Sequence, residues 1–237
     1  IYGTDESIAA IESLLDVDIN YYVRVNFSTI IGLVDAIGGI DVYSDTAFRA
    51  WTDSECYYQV GMMHLDGKCA LAFARERMVY IDGDRHRVKN QQDVISAIMK
   101  KALSSRTLIT RYTNILESMG YSFQTSIPTD NIYDLINNQI EKMPTWTFDT
   151  YSLNGYDSMN GTYTFGTQQL YVMEPDMSTV KEAKQKIDFV MESLAPDSGS
   201  IVSVTVIGVT PSPAITHAIY NATGVWHREL PITPEKI

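Results

Sequence analysis

Four arginines lie close together in the sequence, in a pattern that favours binding of a phosphate group. Arg75 and Arg77 flank one glutamate, and Arg85 and Arg87 follow after a short interval. The guanidinium group is a planar fork of N–H donors that binds two phosphate oxygens at once. Because Arg75 and Arg77 leave the end of a predicted helix in different directions, we expect them to converge on one anion at the mouth of the following loop.

The segment after this loop predicts a helix that begins polar and becomes apolar. Arg87 and Gln91 are four residues apart, and Val94 and Ile98 continue the same helical stripe. The first turn of a helix has free N–H groups and the positive end of the helix dipole, which both favour a phosphate. Asp84 lies among the arginines, and three roles are open to it: orienting an arginine, holding a divalent cation beside the phosphate, or capping the helix.

The charge distribution separates this segment from the rest of the chain. The protein has 237 residues, with 18 Lys and Arg against 29 Asp and Glu, and a net charge of −11. Residues 68–111 carry +6, so the remaining residues carry −17. Because nucleic acid binding requires a broad basic face, this composition argues against nucleic acid as a partner. The local basic segment suits a small anion or, as the alternative, a solvated helix face whose charges form salt bridges.

Other familiar sites are missing from the sequence. Cys56 and Cys69 have no further cysteine beside them, which argues against a zinc site built on sulfur. Two states are open to this pair: a disulfide outside the cytoplasm or two thiols inside it. The histidines have no metal-binding spacing, and there is no nucleophile-elbow, P-loop or dinucleotide-binding glycine motif. The chain has no apolar run of about 18 residues and no signal segment, and its start at Ile1 leads us to expect a missing upstream segment.

Hydrophobic periodicity predicts an α/β fold in which helices cover a sheet. Helices are predicted at 4–15, 28–37, 68–75, 88–103, 106–119, 128–142 and 176–194, and strands at 20–26, 40–43, 146–153 and 162–173. Residues 75–87 are predicted to form a loop and 155–161 a turn. The segment 195–200 is predicted to be a linker between a domain at 1–194 and an unrelated extension at 201–237.

Four stretches of the chain resemble the LytR-CpsA-Psr family of cell-wall glycopolymer transferases. In order they are VDAIGGIDV, LDGKCALAFARER, GDRHRVKNQQ and LYVMEPDMSTVKEAKQKI, and the resemblance covers about residues 1–194. It implies a three-layer α/β/α fold with a central mixed sheet, truncated at its N-terminus. It also implies an apolar pocket for a polyprenyl tail, with arginines that bind the pyrophosphate at the mouth of the pocket.

The resemblance also implies a reaction, its partners and its site residues. The implied phosphotransferase moves a polyprenyl-pyrophosphate-linked glycopolymer, of the teichoic acid or capsular polysaccharide type, onto a hydroxyl of peptidoglycan with the aid of Mg2+. Its implied place is the extracytoplasmic face of the cell membrane in a bacterium of the Gram-positive type, with the membrane reached through the missing N-terminal segment. The matching positions are, for catalysis, Arg75, Arg77, Asp84 and Arg87, and, for substrate binding, Arg85, Asn90 and Gln91. The metal ligands stay unknown.

Departures from the family pattern define the alternatives. Asn90 stands where many members have a second arginine, and together with the truncated start this predicts weak pyrophosphate binding and poor transfer. The alternative function is a non-catalytic module of the cell envelope that binds polyprenyl phosphate or glycan. The tail at 211–237 resembles the C-terminal end of the molybdopterin-binding subunit of xanthine dehydrogenase-type hydroxylases. A molybdenum hydroxylase fragment is therefore a third hypothesis, although so short a segment forms no core of its own.

Overall fold

The computed structural model describes residues 4–81, 83–104, 111, 115, 123–161, 167–193 and 201–208. The helices are α1 (Thr4–Leu15), α2 (Phe27–Ala36), α3 (Gly67–Arg75), α4 (Gly83–Ala102), α5 (Thr129–Lys142) and α6 (Met177–Ser193). The strands are β1 (Val23–Val25), β2 (Ile40–Ser44), β3 (Phe48–Arg49), β4 (Tyr57–Tyr58), β5 (Gly61–Leu65), β6 (Phe123–Thr125), β7 (Thr145–Ser152), β8 (Gly155–Asn160), β9 (Leu170–Pro175) and β10 (Ile201–Gly208). Helices and strands are thus mixed along the chain, and the predicted α/β class is confirmed.

The strands of the described ranges form five two-stranded sheets, which pair β1 with β6, β2 with β5, β3 with β4, β7 with β10 and β8 with β9. Strands β2 and β5 are antiparallel, with Ile40 opposite Leu65 and Ser44 opposite Gly61. Alternate residues of β2 are buried, Val42 among them. One face of this pair therefore packs on the core, as the alternation along a strand requires.

The chain divides into two compact units. One comprises residues 1–20, 151–192 and 207–237, and the other comprises 21–150 and 193–206. The first unit has a small aliphatic core that α1 and α6 contribute to, with the buried residues Ala10, Leu14, Leu15, Leu153, Val180 and Ala183. The arginines singled out by the sequence all lie in the second unit.

The second unit has a larger core that is rich in aromatic side chains. The rings of Phe48 and Phe73 both lie against Tyr58, with centroid distances of 4.5 and 5.3 Å. Tyr58 is fully buried, and its hydroxyl donates to the Cys69 carbonyl at 2.7 Å. Burial, and then the charge of Glu76, raise the pKa of Tyr58, so it stays a neutral donor.

The two cysteines lie at the edge of this core and form a disulfide. Cys56 is almost fully buried, and its Sγ is bonded to that of Cys69 in the first turn of α3. Of the two states that the sequence leaves open, the structure therefore has the disulfide.

Helix α3 is positioned by residues at its start. Asp66 caps the helix, because its Oδ1 accepts from the Cys69 N–H at 2.8 Å. Gly67 packs against α2, where an added Cβ would lie 2.2 Å from the Ile31 carbonyl oxygen. The Gly67 N–H also donates to Asp35 Oδ1 at 2.7 Å. These contacts hold the start of α3 against α2.

Two local predictions are wrong. Helix α4 begins at Gly83, so Arg85 and Arg87 lie on the helix and not in a loop. The sequence shows no helical period there because these residues are polar. The predicted turn at 155–161 is largely strand β8, which pairs with β9 in antiparallel register.

Several predicted segments fall outside the described residues. They are the linker at 195–200, the tail at 211–237 and the helix at 106–119, of which only residues 111 and 115 are described, both helical. Residues 201–208, placed by the sequence in an unrelated extension, form β10 and pair with β7. The predicted domain boundary itself stays a prediction.

Candidate functional site

Arg75 lies at the end of α3, at the surface. Its guanidinium carbon is 4.6 Å from the ring centroid of Phe27, the first residue of α2. Both side chains are exposed. A cation over an aromatic face is attracted by the electron density of the ring, so the ring limits the orientations of Arg75 while its charge still reaches solvent.

Arg77 lies at the start of the connection between α3 and α4. Its backbone carbonyl lies close to Gly83, the first residue of α4. The Gly83 N–H donates to the Tyr80 carbonyl at 3.3 Å, which closes the turn before α4. A Cβ at Gly83 would lie 3.0 Å from the Arg77 carbonyl oxygen, so the two backbones are in close approach. The structure therefore brings Arg77 to the first residue of α4, whose first turns carry Arg85 and Arg87.

The other predicted residues of α4 differ in exposure. Arg85 and Gln91 are exposed and Arg87 is half-buried. Asp84 lies in the first turn of α4, and its side chain is outside the described part of the structure. The first turn of a 20-residue helix offers free N–H groups and the positive end of its dipole. The sequence predicts an anion at this end of α4 on these grounds, and its binding there stays a prediction.

Asn90 is fully buried beneath this end of the two helices. Its Nδ2 donates to the Phe73 carbonyl at 3.2 Å, near the end of α3, and to the Tyr80 hydroxyl at 3.4 Å. Its Oδ1 has no hydrogen-bond partner among the described residues. In this geometry Asn90 ties α4 to the end of α3 and to the loop between them. Its predicted contact with substrate stays a prediction.

Glu76 is the residue of this region that the sequence reading missed. Its side chain is 1% exposed, and its carboxylate accepts three backbone N–H groups. Oε1 accepts from Arg77 at 2.9 Å and from Met78 at 2.8 Å, and Oε2 accepts from Trp51 at 2.7 Å. The only signal for it in the sequence is its position, directly after an apolar helix and between two arginines.

Carboxylates on another side of α4 are paired with cations. Burial acts against ionisation of Asp45, but the hydrogen bond from Thr46 and the charges of Lys89 and His86 outweigh it, so the pKa of Asp45 is lowered. Burial raises the pKa of Asp93, and Lys89 offsets part of that effect. The ring of His86 also stacks on Tyr80, with centroids 3.5 Å apart. These contacts hold the start of α4 against the loop that follows α3.

A cleft of about 320 Å³ lies at the opposite end of α4, and its walls include Leu103, Met143, Trp146 and Phe148. Lys100 also lines it, fifteen residues after Arg85, which corresponds to about 22 Å along a helix. The cleft is therefore separate from the arginines. In the ranges that the structure describes, no group of three or more His, Cys, Asp or Glu side chains is suited to hold a metal ion.

Comparison with known proteins identifies the family. The model of the LytR_cpsA_psr family matches residues 1–186 of this chain. The chain belongs to this family. The match spans all seven predicted site residues, and the resemblance stated from the four LytR-CpsA-Psr motifs is confirmed.

Curated relatives within the family carry transferase names. The chain is 37% identical over 136 residues to the polyisoprenyl-teichoic acid–peptidoglycan teichoic acid transferase TagU of Bacillus cereus (strain AH820), which covers 57% of this chain and 44% of TagU. It is 28% identical over 190 residues to TagV of Bacillus subtilis (strain 168), a transferase of the same name, over 78% of this chain and 46% of TagV. The chain thus spans less than half the length of these relatives.

Solved structures show the same fold. The crystal structure of B. subtilis TagV matches 79% of this chain and 70% of that protein, with 27% identity and a TM-score of 0.62. The Lin1025 protein from Listeria innocua matches 79% of this chain and 76% of that chain, with 27% identity and a TM-score of 0.61. The α/β architecture of this chain is therefore that of the LytR-CpsA-Psr proteins.

Proposed function

We propose that this chain belongs to a phosphotransferase that binds the pyrophosphate of a polyprenyl-linked glycopolymer and moves the glycan phosphate onto peptidoglycan. Family membership supports the class of reaction, and the names of TagU and TagV support teichoic acid as the glycopolymer. The observation that carries the proposal is the close approach of the Arg77 backbone to Gly83. It brings the backbone at Arg77 to the first residue of α4, whose first turns carry Arg85 and Arg87.

The proposed reaction is a displacement at phosphorus. The oxygen of a peptidoglycan hydroxyl bonds to the phosphorus that carries the glycan and releases its proton to water. The bond from that phosphorus to the bridging oxygen breaks, and polyprenyl monophosphate leaves with that oxygen. Phosphoryl transfer requires mainly positioning and neutralisation of negative charge. In this proposal Arg75, Arg77, Arg85 and Arg87 bind the pyrophosphate and stabilise the charge on the leaving phosphate.

The resemblance also implies Mg2+, and the described side chains by themselves form no all-protein cage for this ion. They contain no suitable group of three carboxylates, histidines or cysteines, and the Asp84 side chain is not among them. Magnesium commonly binds substrate phosphates together with one or two carboxylates. Its role here therefore stays a prediction, and no step of the proposed reaction depends on it.

We place the protein at the extracytoplasmic face of the cell membrane. The disulfide between Cys56 and Cys69 supports this placement, because disulfides persist in oxidising compartments. No helix within the described ranges has both the length and the apolar character needed to cross a bilayer. Attachment through a segment upstream of Ile1 stays a prediction.

Calorimetric titration of the 237-residue chain with a polyprenyl pyrophosphate, with and without magnesium, tests the site. Arg75→Ala and Arg87→Ala should each weaken binding by roughly 1.5–3 kcal/mol, the range for hydrogen bonds to charged groups. Lys142→Ala is the control for loss of one exposed positive charge, since Lys142 ends α5 beside Met143, which lines the cleft at the end of α4 opposite to the arginines. Unchanged affinity in both site variants would contradict the assignment.

Transfer separates the proposal from its alternative. The chain is incubated with lipid-linked glycopolymer and peptidoglycan, and the glycan phosphate bound to peptidoglycan is measured. Transfer that is lost in Arg75→Ala supports the phosphotransferase. Tight binding without any transfer supports a non-catalytic module that binds polyprenyl phosphate.

A further inference from the structure

Glu76 has a buried carboxylate and lies, in the sequence, between two exposed arginines of the proposed site. A buried carboxylate destabilises a fold unless hydrogen bonds replace its lost water, and here three backbone N–H groups do so. Two of these groups, those of Arg77 and Met78, belong to the first residues after α3. The carboxylate therefore fixes the direction in which the chain leaves the helix.

The third donor connects this loop to a rigid part of the core. Trp51 belongs to the turn 50–56, which is closed by a hydrogen bond from the Ala50 N–H to the Cys56 carbonyl at 2.9 Å. Cys56 is in turn bonded to Cys69 in the first turn of α3. The turn 50–56 is thus attached to both ends of α3, by a disulfide at the start and by Glu76 at the end.

We propose that Glu76 is the positioning residue of the arginine site. Its carboxylate holds the Arg77 backbone so that the guanidinium groups of Arg75 and Arg77 are presented to the same pyrophosphate. A ligand then binds without first ordering the loop, which lowers the entropic cost of binding. This inference rests on the proposed function of the arginines.

Charge and positioning predict opposite effects when Glu76 is replaced. A negative charge beside the site repels an anion, so its removal by Glu76→Gln should strengthen pyrophosphate binding if charge alone mattered. Glutamine also brings an NH2 group to a place where every neighbour is an N–H donor, so at least one of the three hydrogen bonds is lost. If Glu76 acts by positioning, Glu76→Gln should weaken binding.

The experiment compares wild type, Glu76→Gln, Arg75→Ala and Tyr58→Phe, all in the 237-residue chain, by titration with a polyprenyl pyrophosphate. Glu76→Gln should weaken binding about tenfold, the loss of one well-oriented contact to a charged group. Tyr58→Phe is the matched control, because it removes a buried hydrogen bond to Cys69 in the same core and none of the hydrogen bonds described for the Glu76 carboxylate. It should lower the melting temperature and leave affinity within about twofold.

Each pattern of results has one meaning. Weaker binding in Glu76→Gln and Arg75→Ala, but not in Tyr58→Phe, supports the positioning role. Weaker binding in Arg75→Ala with equal or tighter binding in Glu76→Gln overturns the positioning role and leaves the proposed function intact. Wild-type affinity in Arg75→Ala overturns the positioning role, and wild-type affinity in both Arg75→Ala and Arg87→Ala overturns the proposed function as well.

Hydrogen exchange of the wild type tests the same inference when a variant fails to fold. The amide protons of Trp51, Arg77 and Met78 should be protected in the ligand-free protein, since all three donate to one buried carboxylate. Exchange of the Arg77 and Met78 amides as fast as in an unstructured peptide would overturn it.

Discussion

The two ends of helix α3 are attached to the core in different ways. At the start, the disulfide of Cys69 and the ion pairs of Lys68 with Asp53 and Glu55 act in parallel, and the Asp66 cap stabilises the first turn of the helix itself. Among the polar contacts described, the end is attached to the turn 50–56 by one side chain, Glu76. The start is attached to this turn by the disulfide and by the ion pairs of Lys68, whereas the end that carries the arginines is attached to it by one buried carboxylate.

This difference suggests a division between stability and function. Attachments at the start of α3 contact other structural elements, so their loss should lower stability and leave the arginines in place. The attachment at the end orders the loop that begins with Arg77, so its loss should change ligand binding. A substitution at the start of α3 that alters ligand affinity would therefore contradict this division, and one that lowers stability alone would support it.

Removal of the disulfide should have the largest effect on stability. The double variant Cys56→Ala, Cys69→Ala removes a cross-link between residues that are 13 positions apart in the sequence. In the chain-entropy model this loss lowers the unfolding free energy by about 3 kcal/mol. Urea unfolding measures this loss, and wild type in reducing agent is the control. Pyrophosphate affinity, measured well below the melting temperature, should stay near that of wild type. A loss of affinity as large as that expected for Glu76→Gln would contradict the distinction between the two ends of α3.

Removal of the helix cap should have an intermediate effect. Asp66→Ala takes away the acceptor of the Cys69 N–H and should lower the unfolding free energy by about 1 kcal/mol. Asp66→Asn keeps a capping oxygen and serves as the control, with most of the stability retained. Equal losses in the two variants would show that the cap is not the cause.

Removal of Lys68 should have the smallest effect on stability, and this effect should be full only within a defined pH range. Hydrogen bonds to Glu55 and then Asp53 raise the pKa of Lys68, while the Glu55 N–H and then Lys68 lower the pKa of Asp53. The raised lysine pKa stabilises the fold below about pH 10.4, and this contribution is lost as the pH rises through the folded value. The lowered Asp53 pKa stabilises the fold above about pH 3.9, and this contribution is lost as the pH falls.

The stability difference between wild type and Lys68→Ala should therefore be small, constant near neutral pH, and diminished in both acid and alkali. It should also fall with added salt, because the pair is exposed to solvent. Urea unfolding across pH measures it. A difference that grows below pH 4 would contradict the assigned pKa directions.

Local patterns in the sequence predict much of the region around the arginines. Helix α3 was expected at 68–75 and lies at Gly67–Arg75, because an Asp–Gly start and an apolar stripe are both local signals. The start of α4 was misplaced, because the polar residues 83–87 carry no helical period. Contacts between residues distant in the sequence stabilise that turn, among them the approach of His86 Nε2 to Asp45 Oδ1 at 3.6 Å.

The roles of individual polar residues were less predictable than their elements. The sequence places Asn90 among the substrate-binding residues, which stays a prediction, and it carries no signal for the buried contacts of the Asn90 amide with Phe73 and Tyr80. Glu76 was not singled out at all. In both cases the contacts of the side chain depend on its burial, which is set by the residues that pack around it.

The sequence by itself determined the family, the α/β class and the positions of the arginines, because each follows from residue types at fixed spacing. The tertiary structure alone decided that Cys56 and Cys69 pair and that Glu76 accepts three N–H groups. The reason is physical: the partners of a buried charge are whichever donors the fold brings within hydrogen-bonding distance. For Glu76 one of them, Trp51, lies 25 residues away in the chain, beyond the reach of any local pattern.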